Sequence, residues 1–132
     1  MSITVSFPGG VKVNAQLEGF EVATDQPVRA GGEESAPAPF GLFLASLATC
    51  AGYYVKAFCD SRDISSEGIS LSMDTEYNPA EKMIGKIIIR IHVPAEFPEK
   101  YDNAVINAAS ICAVKRHLSE KIKNDIIVVR NS

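Results

Sequence analysis

What the 132-residue chain lacks narrows its function first. It has no excess of positive charge: 13 Lys and Arg face 16 Asp and Glu, a formal net charge of −3. Nucleic-acid binding calls for a strongly basic face, so that class of partner is excluded. Its charge-free stretch, Phe40–Val55, is about four helical turns, short of the ~20 apolar residues that span a bilayer. Ser2–Phe7 lacks the basic start and the apolar core of an export signal. Three cysteines, an odd number, without such a signal favour a reducing cytoplasm. Neither C-x-x-C nor H-x-x-x-H occurs, and His92 and His117 have no Cys or His at ligand spacing, so neither a metal nor another bound cofactor is expected. Gly9-Gly10 and Gly31-Gly32 lack the spacing of a phosphate-binding loop, and no serine sits in a G-x-S-x-G setting. Repeats, linkers and low-complexity segments are also missing, so one domain over residues 1–132 is expected. A chain of this length buries roughly two-thirds of its surface on folding.

What is present is organised around Pro37–Phe58, PAPFGLFLASLATCAGYYVKAF. Small residues (Gly41, Ala45, Ser46, Ala48, Ala51, Gly52) alternate with bulky ones (Phe40, Leu42, Phe43, Leu44, Leu47). Pro37 and Pro39 suit a helix start, where a missing N–H costs little. The stretch predicts a helix apolar on every side, hence one buried all round. One sheet face cannot cover such a helix, which points to an intertwined homodimer.

Before it, Ile3, Val5 and Phe7 alternate with polar residues up to Pro8-Gly9-Gly10. Val11, Val13, Ala15 and Leu17 alternate again up to Glu18-Gly19, and Phe20–Thr24 continues the pattern. Period-two alternation broken by short Gly turns predicts a three-stranded antiparallel meander. Asp25–Ala36 is a polar loop, long enough to carry function. After the charged connector Asp60–Gly68, the runs Ile69–Tyr77 and Ile87–Val93 predict a hairpin turning at Asn78-Pro79. Pro98 opens a helix through Cys112, with a break at Ser110 as a cap and a further helix over Cys112–Lys123. Asn124-Asp125 leads into a last strand, Ile126–Arg130. The order βββ-α-ββ-α-α-β is α+β, not doubly wound.

Cys50 and Cys112 are the residues with the most chemical potential. Cys112 is followed by Lys115, Arg116 and His117. If a helix starts there, its sulfur meets cations and the positive helix end, which favour the reactive thiolate. The competing expectation is two buried packing thiols, since free Cys is among the most buried residue types. Cys59 lies nine residues after Cys50, about 180° round a helix and ~13 Å along it, too far to bridge. It is expected to be a packing residue.

The opening Pro37-Ala38-Pro39, the run Leu42, Leu44-Ala45, Leu47-Ala48, Cys50, and the later C-A-V-K-R-H-L from Cys112 to Leu118 resemble the OsmC/Ohr family of thiol-dependent peroxidases. The resemblance extends over essentially the whole chain in length and element order, although only the two cysteine segments are specific. It implies an OsmC-like intertwined α+β homodimer with each site at the subunit interface. Cys50 would attack an organic hydroperoxide, Cys112 would resolve the sulfenic acid, and an external dithiol would regenerate the pair. Phe40, Phe43, Leu47, Tyr53 and Tyr54 are the candidate walls for an apolar peroxide. Two positions depart from the family's pattern: Phe40 stands where members carry the Glu that orients an activating Arg, and Ala113 where many carry Pro. The nearest candidate Arg is Arg29, with Glu33 or Glu34 as its partner. The alternative is a non-enzymatic OsmC-like protein that binds a hydrophobic small molecule.

Overall fold

The structure is a computed structural model, and it describes residues 1–118 and residue 130. The chain forms two compact units, Met1–Ser46 and Leu47–Ser132.

The first unit opens with the expected meander: β1 (Ile3–Gly9), β2 (Lys12–Leu17) and β3 (Phe20–Thr24), antiparallel in the order β1-β2-β3. The β2–β3 turn, Glu18-Gly19, has φ of 48° and 86°. Two successive positive φ values are the hairpin turn whose twist matches the strands, and Gly19 takes its share without strain. The register places Ile3 opposite Leu17 and Val5 opposite Ala15, then Ala15 opposite Val22 and Leu17 opposite Phe20. With side chains alternating faces, this collects Ile3, Val5, Val13, Ala15, Leu17, Phe20 and Val22 on one apolar face. That face is open: Val5 is 59% exposed, Phe7 79% and Phe20 72%.

The loop after β3 closes on itself around Asp25, which is 1% exposed. Its Oδ1 accepts the Gln26 N–H (2.8 Å), and its Oδ2 accepts the N–H groups of Glu33 (3.3 Å) and Ser35 (3.1 Å) and the Ser35 hydroxyl (2.6 Å). The Ser35 hydroxyl bond, followed by the Gln26 amide, holds the carboxyl down at about 2. The Asp25 N–H in turn reaches the Pro37 carbonyl at 3.3 Å. Within the loop, a Cβ on Gly32 would stand 1.9 Å from the Gln26 carbonyl oxygen, so only glycine fits.

The long helix α1 runs Pro39–Ser61, two residues later at the start and three later at the end than Pro37–Phe58. An i,i+4 ion pair, Lys56 to Asp60 at 2.5 Å, supports the extra turn. At 23 residues, α1 is long and apolar enough to cross a bilayer by length and composition alone. Its later part instead packs one stripe into protein: Leu47, Ala51, Val55, Phe58 and Cys59 are buried. The expectation of burial all round is corrected for the single chain, because Gly41, Ala45, Thr49 and Tyr53, one turn apart, are exposed.

In the second unit, β4 (Ser70–Asn78) and β5 (Met83–His92) form the expected hairpin. Its turn forms where Asn78 Oδ1 accepts the Ala80 N–H at 3.0 Å. The Pro98 segment begins with a 3-10 turn, Glu99–Tyr101, and continues as α2 (Asp102–Ala109). Val55, Phe58, Cys59, Phe97 and Val105 form the core, with Ile64, Leu71, Ile91 and Tyr101 packed around it. The Arg62 guanidinium lies 3.8 Å from the Phe58 ring centroid, and Tyr101 meets that ring edge-on at 5.8 Å. Ser110 does not cap a following helix as expected. Its hydroxyl donates back to the Ile106 carbonyl (2.9 Å) and ends α2. A short α3 follows, Ala113–Arg116. The remainder of the expected Cys112–Lys123 helix and most of the expected strand Ile126–Arg130 lie outside the described residues.

Candidate functional site

Cys50 lies three residues after Leu47 and one before Ala51, so it sits about 60° off the buried stripe of α1. It is half-buried there, whereas Cys59, on the opposite side of the helix, is 0% exposed. All three cysteines are free thiols.

Cys112 reaches Cys50 through a tight reversal between two helices. The Ile111 N–H donates to Ala108 O (3.1 Å), and the Cys112 N–H to Ser110 O (3.0 Å). The Cys112 carbonyl then accepts the Arg116 N–H (3.0 Å), the first bond of α3. Cys112 is therefore the residue from which α3 starts, as its spacing implied.

The two thiols are in hydrogen-bonding contact, and three donors converge on the Cys50 sulfur. The bond from Cys112 does most to lower the Cys50 pKa below the usual thiol value. Partial burial opposes it, and the main-chain N–H groups of Val114 and Ala113 add to the lowering. Cys59 is pushed the other way, chiefly by burial and further by the neighbouring Asp60 charge. A thiolate is the nucleophilic form of cysteine. The site thus joins a thiolate-favouring sulfur to a second thiol close enough to react with its oxidised form.

Sequence reasoning assigned the α3 donors and the basic residues after them to Cys112 itself. The donors act on Cys50 instead. Arg116 and His117 are exposed, and the His117 Nδ1–H lies 2.6 Å from the Ala113 carbonyl. No motif marks the Ala113 and Val114 amides, because a main-chain group carries no residue signature. The only hint was a helix starting at Cys112.

The other sequence-predicted residues are distributed over both units. Arg29 is exposed on a 3-10 turn, Val28–Ala30, in the first unit. Glu33, one of its expected partners, pairs with Lys12 at 2.9 Å instead. That contact raises the Lys12 pKa. Phe40 and Phe43 stack in the first unit with centroids 5.6 Å apart. In the second unit, Leu47 is buried, and Tyr53 and Tyr54 meet edge-to-face at 5.2 Å.

The sequence profile of the OsmC-like protein family matches residues 31–126. No curated protein matches the chain. Among solved structures, the chain is similar to a Psychrobacter arcticus protein described as an osmotic stress induced and detoxification response protein. Identity is 22% over 91% of this chain and 89% of that one, with a TM-score of 0.75. An organic hydroperoxide resistance protein from Legionella pneumophila matches at 19% identity, 90% and 88% coverage and a TM-score of 0.59. OhrB of Bacillus subtilis, another organic hydroperoxide resistance protein, matches at 16% identity, 90% coverage of both chains and a TM-score of 0.53. The structural likenesses establish the α+β fold, and the profile spans most of the sequence: the chain belongs to the OsmC-like protein family.

Proposed function

We propose that this protein is a thiol-dependent peroxidase that reduces organic hydroperoxides. The observation that carries the reading is the contact of Cys50, a thiol biased towards thiolate, with Cys112. The Cys50 thiolate attacks the terminal peroxide oxygen and breaks the O–O bond. The departing alkoxide takes a proton and leaves as the alcohol, and Cys50 becomes a sulfenic acid. The Cys112 sulfur then attacks the Cys50 sulfur, forms the disulfide and releases water. A cellular dithiol reduces that disulfide by exchange and is itself oxidised. A reducing cytoplasm suits this regeneration. The relatives named as organic hydroperoxide resistance proteins support the kind of substrate. The exposed apolar face of β1–β3 supports a homodimer in which a second copy covers it.

A second reading has its own observation. Phe40 and Phe43 stack into an aromatic pair, which suits retention of an apolar small molecule without turnover. One assay separates the two: reduced protein is mixed with cumene hydroperoxide and a dithiol, and peroxide loss is followed. Catalytic loss that disappears in Cys50→Ser is the expected result. No loss above the Cys50→Ser background overturns the peroxidase reading in favour of binding alone.

A further inference from the structure

We infer that the main-chain N–H groups of Ala113 and Val114 cradle the Cys50 thiolate, so that the segment carrying the resolving cysteine also activates the attacking one. This rests on the peroxidase reading for its purpose, but its physical content is a set of hydrogen bonds. The first N–H groups of a helix have no acceptor within it and must find one elsewhere. Those of Ala113 and Val114 find the Cys50 sulfur. α3 is only four residues long, so its macrodipole is negligible and the donors act as individual N–H groups. Among the described residues, the titratable group that bears on Cys50 is Cys112, and no lysine, arginine or histidine contributes. The turn through Ser110 O and Cys112 N fixes donors and resolving thiol as one piece. Activation and resolution therefore share one placement, and displacing residues 112–114 removes both.

The test reads Cys50 ionisation without peroxide. The pH dependence of iodoacetamide labelling at Cys50 is followed by peptide mass spectrometry in wild type, Ala113→Gly and Ala113→Pro. Proline removes the N–H, yet its fixed φ suits the first residue of a helix; glycine retains the N–H. One lost hydrogen bond to a charged acceptor corresponds to a midpoint about one pH unit higher in Ala113→Pro. In Ala113→Gly the midpoint stays with wild type. Equal midpoints in all three, or equal rises in both variants, overturn the inference. Persistent protection of Cys59 from the reagent verifies folding. A second measurement needs no variant: in wild-type protein, the amide proton resonances of Ala113 and Val114 move in step with Cys50 ionisation, and resonances indifferent to it overturn the inference equally. Peroxide turnover is assayed separately. Turnover with unmoved midpoints refutes the cradle alone; moved midpoints without turnover refute the peroxidase reading alone.

Discussion

Replacing Cys112 by alanine and by serine separates its two roles, because serine retains a donor hydrogen and alanine does not. Both variants lose the resolving sulfur. In each, a first attack on peroxide leaves a Cys50 sulfenic acid that over-oxidises, since no neighbouring thiol condenses with it. The rates of that first attack differ. The Cys112 bond is the largest influence holding Cys50 as thiolate, and its loss raises the midpoint by about one unit if it resembles other charge-assisted bonds. Thiolate at neutral pH then falls roughly tenfold, while the more basic thiolate regains roughly threefold in intrinsic reactivity at a Brønsted slope near 0.45. The net effect is a first attack roughly threefold to fourfold slower in Cys112→Ala at pH 7. Above both midpoints the order reverses, because every molecule is ionised and the more basic thiolate is the better nucleophile. Stopped-flow consumption of one equivalent of cumene hydroperoxide from pH 6 to 10 measures this, with Cys112→Ser close to wild type. Wild type should lose two thiols per peroxide and yield a Cys50–Cys112 disulfide with Cys59 free. Indistinguishable profiles for the two variants, or modification confined to Cys59, would refute the reasoning.

Two further outcomes follow from the first unit. Light scattering at micromolar concentration should give twice the chain mass, and Phe7→Lys combined with Phe20→Lys, which charges the open sheet face, should shift it to one; a wild-type monomer would disprove the dimer. For Asp25, whose folded pKa is depressed to about 2 from 3.8, the stabilising contribution is fully present above about pH 4 and is lost as pH falls through about 2. Asp25→Asn should therefore speed amide exchange at Glu33 and Ser35 at neutral pH and flatten its dependence on acid, and exchange rates equal to wild type at pH 7 would remove Asp25 as the anchor of the loop.

Much of the fold was legible because its signals are local. Period-two runs gave β1–β3 and the β4–β5 hairpin, and an uncharged apolar stretch gave α1, since side-chain spacing along a strand or helix is a property of neighbouring residues. Element ends were less legible: α1 reaches Ser61 through an ion pair between Lys56 and Asp60, which polar composition alone had suggested was connector. Cys50 and Cys112 could be named from their surrounding motifs, and Cys59 could be set apart by its nine-residue offset on one helix. Their chemistry was another matter. That the α3 amides serve Cys50, that Glu33 pairs with Lys12 and not Arg29, and that Asp25 is buried under four donors all depend on chain reversals bringing distant residues together. The sequence alone determined which thiols and which faces were available. Only the tertiary structure decided which thiol is held as thiolate, because hydrogen bonds from main-chain N–H groups depend on where the backbone passes, not on side-chain identity.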